Sequence, residues 1–264
     1  MVRAKEAKMP QHRALHSRYG PELTGVLVLL ALIAIVEVLV RTAVINPFLM
    51  PRPSEVALAF ERIILEESVL QRFLTTAGEA ATAALLVALI GIPFGTLLHG
   101  RLLLRKSIET WVAALAAAPI VLAYPLFLVI FGRSPWTIIT IGVLAGLPPV
   151  VLLTIEGLDS IPRALIATGR SFRLNRWQLF WKVMFPAALP SIFSGLRIGL
   201  IFALINVVGV EFLINFGGLG PLINELAERY DLPGTYAAIC FVVLVSVVVF
   251  IAMERIEKWL RPGS

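Results

Sequence analysis

Residues Ile161–Pro190, IPRALIATGRSFRLNRWQLFWKVMFPAALP, decide the reading of this chain: a basic, amphipathic segment of thirty residues lies between runs apolar enough to cross a bilayer. The segment carries Arg163, Arg170, Arg173, Arg176 and Lys182 and no carboxylate. Lys and Arg accumulate in the cytoplasmic loops of membrane proteins, so the segment is placed in the cytoplasm and both flanking runs re-enter the membrane from that side. A soluble partner is expected to dock there. The plainer alternative is a basic loop resting on anionic lipid.

Working outward, the composition agrees. A chain of 264 residues that is 58% hydrophobic and 15% charged falls well below the roughly 25% charge of a soluble domain. It reads as an integral, all-α membrane protein. The net charge of +6 would suit nucleic acid, but the basic residues sit between apolar runs and not on one continuous face, so they orient the protein in the bilayer and no nucleic-acid partner is expected. Cys240, the lone cysteine, offers no disulfide and reads as a small buried hydrophobe.

A helix rising 1.5 Å per residue needs about twenty residues to cross a hydrocarbon core about 30 Å thick. Six such runs are present, at about Thr24–Val44, Phe73–Leu98, Ser107–Phe131, Trp136–Ile155, Ala188–Ile214 and Thr235–Arg255. The first follows a basic tail, residues 1–23, and is too long for a signal-peptide core, so it reads as an uncleaved span that opens a transmembrane domain over 24–264. Pro53–Glu67 has apolar Val56, Ala59, Phe60, Ile63 and Ile64 at helical spacing among charges, which predicts a short interfacial helix. Sixteen Lys and Arg residues fall in the tail, 99–106, 156–186 and 255–261, against six in the opposite loops. Both termini are therefore expected in the cytoplasm.

Charges inside spans cost about 2.5–3.5 kcal/mol each at a helix centre and should face protein or water. Glu37 and Glu79 lie deep and are candidates for interhelical pairing or for lining a pathway; Arg197, Glu211 and Glu156 lie near span ends, where snorkelling is an alternative. Asn206 joins these as a pathway candidate. Pro119 and Pro125 break the third span, Gly146, Pro148 and Pro149 interrupt the fourth, and Pro186 and Pro190 precede the fifth, so kinks are expected, as suits a gated pathway.

Catalytic signals are missing. The chain has no phosphate loop and no Gly-Lys dipeptide, so energy is expected from a partner. Gly217, Gly218, Leu219 and Gly220 follow no strand and read as a turn outside the membrane. His12, His16 and His99 form no metal or nucleophile pattern, and no metal site and no enzyme activity are expected of this chain.

Within the basic segment, residues 156–186, Asp159 or Ser160 is placed to cap a short helix with Pro162 in its first turn. Trp177, Phe180, Trp181, Met184 and Phe185 then form one apolar stripe, suited to the headgroup boundary and leading into the fifth span.

PFLMPRPSEV after the first span, GIPFGTLLHG at 91–100, PLFLVIFG at 125–132, RWQLFWKVMFPAALPSIFSGLRIGL at 176–200 and EFLINFGGLG at 211–220 occur in one order. In these stretches the chain resembles the inner-membrane permease subunits of ATP-binding-cassette (ABC) importers, in the nitrate, sulfonate and taurine group. The resemblance runs from about Pro47 to Leu260. It implies six spans with a coupling helix between the fourth and fifth, carried here by Pro162, Arg163, Ala164, Ala167, Thr168, Gly169, Arg170 and Arg173. It also implies a bacterial inner-membrane location, two permease subunits (identical or paralogous), two cytoplasmic ATPase subunits holding ATP and Mg, and an extracytoplasmic solute-binding protein. This chain itself binds no cofactor, and the solute is expected to be a small organic or inorganic anion. In the family's E-A-A-x-x-x-G pattern, Ala167, Thr168, Gly169 and Arg173 stand at the four defining places, and Glu79 and Ala116 stand where many relatives carry arginine. The rival reading is an ion-coupled secondary transporter, which would show internal repeats and has no use for the long cytoplasmic insertion.

Overall fold

The computed structural model describes residues 20–260. The chain divides into two compact units, residues 1–57 and 58–264. The expected basic tail lies outside the described residues except at its end, where helix α1 (Gly20–Arg41) begins before Thr24. Helix α2 (Pro53–Glu66) is the predicted short helix, with Ala59 and Ile63 buried.

The second unit is built of helices joined by short connections, with no strand among its described residues. Helix α3 is Val69–Gly100, α4 Leu102–Ala117, α5 Tyr124–Phe131 and α6 Pro135–Asp159. Helix α7 is Arg163–Ser171, α8 Arg176–Leu179, α9 Phe185–Ile214, α10 Leu219–Glu228 and α11 Leu232–Leu260. Among the described residues five helices are long and apolar enough to cross a membrane, and a sixth span arises if α4 and the bent stretch after it count as one. The chain turns by 93° between Leu102–Ala117 and Ile120–Phe131. Pro119, which has no N–H to continue the ladder, stands at that break, whereas Pro125 lies in the first turn of α5 and breaks nothing.

Other expected interruptions resolve differently. Helix α6 runs unbroken through Pro148 and Pro149. The fifth span starts earlier than Ala188, because α8 passes through a π-helical stretch, Phe180–Met184, into α9 as one apolar run from Arg176 to Ile214. Pro186 stands two residues beyond this stretch, and a wider winding is one way a helix accommodates a lost donor.

Lipid tails are as apolar as leucine, so close backbone packing holds such a bundle together. Three glycine pairs at i, i+4 supply it: Gly91 and Gly95 on α3, Gly142 and Gly146 on α6, Gly195 and Gly199 on α9. A Cβ on Gly146 would lie 2.7 Å from the Gly199 carbonyl oxygen, and one on Gly199 2.7 Å from that of Gly146. On α3, a Cβ at Gly95 would lie 2.9 Å from the Val151 carbonyl. Helix α6 is thus clamped between α3 and α9, and its Ile138, Ile141, Val150, Val151 and Ile155 are fully buried. Cys240 on α11, expected to be buried, is exposed, because α11 packs through its other faces, with Phe241 against Phe60 and Phe73.

Candidate functional site

Helix α7 is the short helix predicted between two spans, but its start differs from the expected cap. Asp159 closes α6, Ser160 follows as the C-cap of α6, and Pro162 is the N-cap of α7 with no side-chain cap bond. Asp159 is engaged elsewhere: Arg105 Nη1 donates to it at 2.6 Å, and His99 Nδ1 lies 2.9 Å away. Arg105 also donates to Glu109 at 2.7 Å, so one cluster joins the ends of α3, α4 and α6 beside α7.

Two residues seat α7. Ile166 packs on the cluster of Leu158, Ile161, Ala188 and Ile192, which also receives Phe180, Met184 and Phe185. Gly169 is buried, and a Cβ there would lie 2.5 Å from Leu179 Cδ1, so glycine lets α7 close onto α8 without displacing the Leu179 side chain. The Leu174 N–H then donates to the Gly169 carbonyl at 3.3 Å, with Arg173 in the left-handed region at φ 54°. This is the conformation glycine favours after a helix, and arginine holds it here. Asn175 and Gln178 form a capping box that starts α8.

The remaining face of α7 is exposed. Ala164, Ala167, Thr168 and Ser171 form its centre, and the Thr168 and Ser171 hydroxyls donate back to the carbonyls of Ala164 and Ala167. Arg163 and Arg170 line one edge, seven residues apart, and Pro162, Arg173 and Phe172 are exposed at its ends. The aromatic stripe is split: Trp177 and Trp181 stay exposed, while Phe180 and Phe185 turn inward.

At the other end of the unit, Glu211 lies in the last turn of α9, near the span end as expected, but its side chain turns inward and does not snorkel. It is 0% exposed, and its carboxylate accepts from Thr76 Oγ1 at 2.9 and 3.0 Å and from the N–H groups of Gly218 and Gly220 at 3.0 Å each. The Leu219 N–H donates to Thr76 Oγ1 at 2.9 Å. The glycine-rich stretch is thus a turn that opens α10, and its amides cradle the chain's own carboxylate as a helix N-terminus cradles an anion. Both Gly218 and Gly220 are required, since a Cβ would strike Arg72 and Thr76 from the first and Phe212 and Glu211 from the second. Thr76, which the sequence reading did not single out, supplies the third donor. Glu79 lies one turn further along α3 and interacts with Glu211; it is buried, and neither of its carboxyl oxygens has a hydrogen-bond donor. The partner is on α9, so the interaction is interhelical, and among the described residues no cation forms an ion pair with Glu79.

Glu37 lies in the first unit and receives Arg41 Nε at 2.7 Å, the Ser54 N–H at 3.0 Å and Ser54 Oγ at 2.9 Å, tying α1 to the start of α2. Arg197 is 3.0 Å from Glu257 of α11 and stacks 5.6 Å from the Phe250 ring centre, a staple between α9 and α11. The structure brings Pro119 and Asn206 together: a cavity of about 350 Å³ at the bend is lined by Ala116, Pro119, Val121, Phe202, Asn206 and Gly209 among others. Asn206 donates to the Phe202 carbonyl at 2.9 Å and is the polar side chain among these lining residues. Pro125, Glu79, Arg197 and Glu211 do not line it.

Glycine-clamped long helices, a broken span with a cavity at its bend and a short helix presented between two spans define a multi-span helical membrane protein. Residues 58–262 match the family described as "Binding-protein-dependent transport system inner membrane component", and the chain belongs to that family. It is 27% identical over 218 residues to the formylaminopyrimidine transport permease protein ThiX of Halalkalibacterium halodurans, covering 82% of this chain and 86% of that relative. It is 24% identical over 223 residues to the taurine transport system permease protein TauC of Escherichia coli, covering 83% and 81%. A solved inward-facing conformation of the MetNI methionine ABC transporter shares the fold, with a TM-score of 0.65 at 20% identity over 73% of this chain and 96% of that one.

Proposed function

We propose that this chain forms the membrane pathway of an ATP-driven importer and that α7 transmits the movement of a cytoplasmic ATPase to it. The observation that carries the reading is that α7 lies inside the family match, with one face seated on the transmembrane core through Ile166 and Gly169 and the other left open. ATP and Mg belong on the ATPase, both termini lie in the cytoplasm, and an extracytoplasmic binding protein delivers the solute. A second permease, identical or paralogous, completes the pathway. Closure of the ATPase pair on ATP would push α7, and the π-wound start of α9 would carry that push into the span, shifting the balance between outward and inward openings.

For the solute, the relatives named above are described as carriers of a formylaminopyrimidine and of taurine. The bend cavity has an amide, Asn206, and no charged side chain among its lining residues, which suits a small organic solute held through hydrogen bonds better than a bare inorganic anion held by charge. The test is reconstitution of this chain with its ATPase and binding protein in liposomes. Uptake that needs ATP and loaded binding protein and survives an ionophore is expected. Uptake that collapses with the ion gradient would restore the secondary-transporter reading.

A further inference from the structure

We infer that the ATPase surface facing α7 is acidic, with carboxylates placed along the Arg163–Arg170 edge, an inference that rests on the coupling role proposed for α7. From Ser160 to Phe185 the chain contains five cations and no carboxylate. The nearest acid, Asp159, is occupied by Arg105 and His99. Among the described residues no carboxylate lies within ion-pairing distance of Arg163 or Arg170, and both are exposed.

Helix stability does not explain Arg163. It is the first residue of α7, and the first turn has no acid. The N-terminus of a helix carries partial positive charge, so a cation there is unfavourable unless an anion outside the helix meets it. Arg170 in the last turn suits the dipole, but the two residues stand seven apart on one edge, about 10 Å along the axis, at a rise of 1.5 Å per residue. An acidic pair at that spacing would answer both, and the acid facing Arg163 would also be attracted by the helix N-terminus.

The occupant is a protein and not a lipid surface. A helix that lies in a membrane interface buries large apolar side chains, whereas the centre of this face is Ala164, Ala167, Thr168 and Ser171, with the hydroxyls turned back onto the helix. Small side chains allow close approach by a partner backbone and give an acyl boundary little to hold. The bulky exposed side chains lie off that centre: Leu165 on the edge of α7 opposite the arginines, Phe172 at its C-cap, and Trp177 and Trp181 on the next element.

The test measures binding of the purified cognate ATPase to the full chain in neutral-lipid nanodiscs at about 50 and about 300 mM salt, wide enough to change screening substantially. Wild type, Ala164→Trp, Arg163→Glu and Arg163→Glu with Arg170→Glu are compared, each first shown to be monodisperse. Wild-type binding is expected to weaken about tenfold across the salt range, and the double reversal to weaken binding about a hundredfold at low salt and flatten the salt dependence. Arg163→Glu favours α7 itself, so a loss of ATPase binding by that variant separates partner recognition from helix stability. Restoration of the double variant by Asp/Glu→Lys changes on the ATPase would identify the acids. If Ala164→Trp blocks binding while the charge reversals leave it unchanged, the acidic complement is wrong and the coupling surface stands. If none of the variants alters binding, the coupling reading itself falls. If the reversals instead abolish only a gain in binding to anionic-lipid discs, the arginines serve the membrane and the inference is overturned.

Discussion

Replacing Glu211 by Ala strips the carboxylate that three donors converge on, and the structure sets the size of the loss. The Gly218 and Gly220 amides, each 3.0 Å from a carboxylate oxygen, would be left without an acceptor in a site that is 0% exposed. Thr76 keeps a weaker alternative, the Arg72 carbonyl at 3.3 Å. A buried donor left unsatisfied costs about 1–3 kcal/mol, so the two amides together cost about 4 kcal/mol. The turn cannot shift to find other acceptors, because neither glycine has room for even a Cβ. For a chain of this size that loss lowers the melting temperature by roughly 10 °C. Glu211→Gln keeps one acceptor oxygen but turns an amide donor toward the other N–H, and should cost about half as much. Thermal unfolding of the purified full-length protein, followed by a size-exclusion fluorescence readout, measures both. An Ala variant that melts within about 2 °C of wild type would refute the view that this carboxylate holds the turn.

Arg173→Gly relieves a left-handed arginine and is expected to stabilise the protein by up to about 1 kcal/mol, the strain of the L-residue less the added freedom of glycine; an unchanged or lower melting temperature would contradict this. Gly146→Val places side-chain atoms where a Cβ already lies 2.7 Å from the Gly199 carbonyl, and should cost about 2 kcal/mol or more and lower abundance in membranes; normal abundance and melting would show that α6 and α9 do not cross there. Ala167→Asp puts an unpaired carboxylate at the centre of the open face of α7 and is expected to abolish uptake while membrane abundance stays normal; normal uptake would show that this face docks nothing.

The sequence was most legible where one physical rule acts locally. Apolar run length alone places α3, α6 and α11, and the alternation of Val56, Phe60 and Ile63 with charges places α2. Pro119 announced the break after α4 because a missing donor acts on its own turn. Proline is a poorer guide inside α6, where Pro148 and Pro149 sit in a helix gripped on two sides. What escaped depends on partners far apart in sequence: Thr76 and Glu211 are 135 residues apart, and a buried, caged Glu211 looks in one dimension like any glutamate near a span end. Helix α10 was hidden because it is short and opens on glycines that read as a turn, which they also are. Of the coupling candidates, the exposed Ala164, Ala167 and Thr168 and the buried Gly169 divide between the two faces of α7, a division that helical spacing permits but only packing against Leu179 assigns.

Cys240 is the one cysteine of the chain, so Cys240→Ala with a single cysteine at Ala167 gives a clean reporter for the central claim. In sealed cells that cysteine should resist a membrane-impermeant thiol reagent added outside, and in inverted vesicles a short bifunctional reagent should join it to the ATPase, with a yield that changes when ATP is added. Labelling from outside, or a residue that is reached in inverted vesicles yet never joins to the ATPase, would contradict the account of α7 as the cytoplasmic contact through which ATP hydrolysis drives this permease.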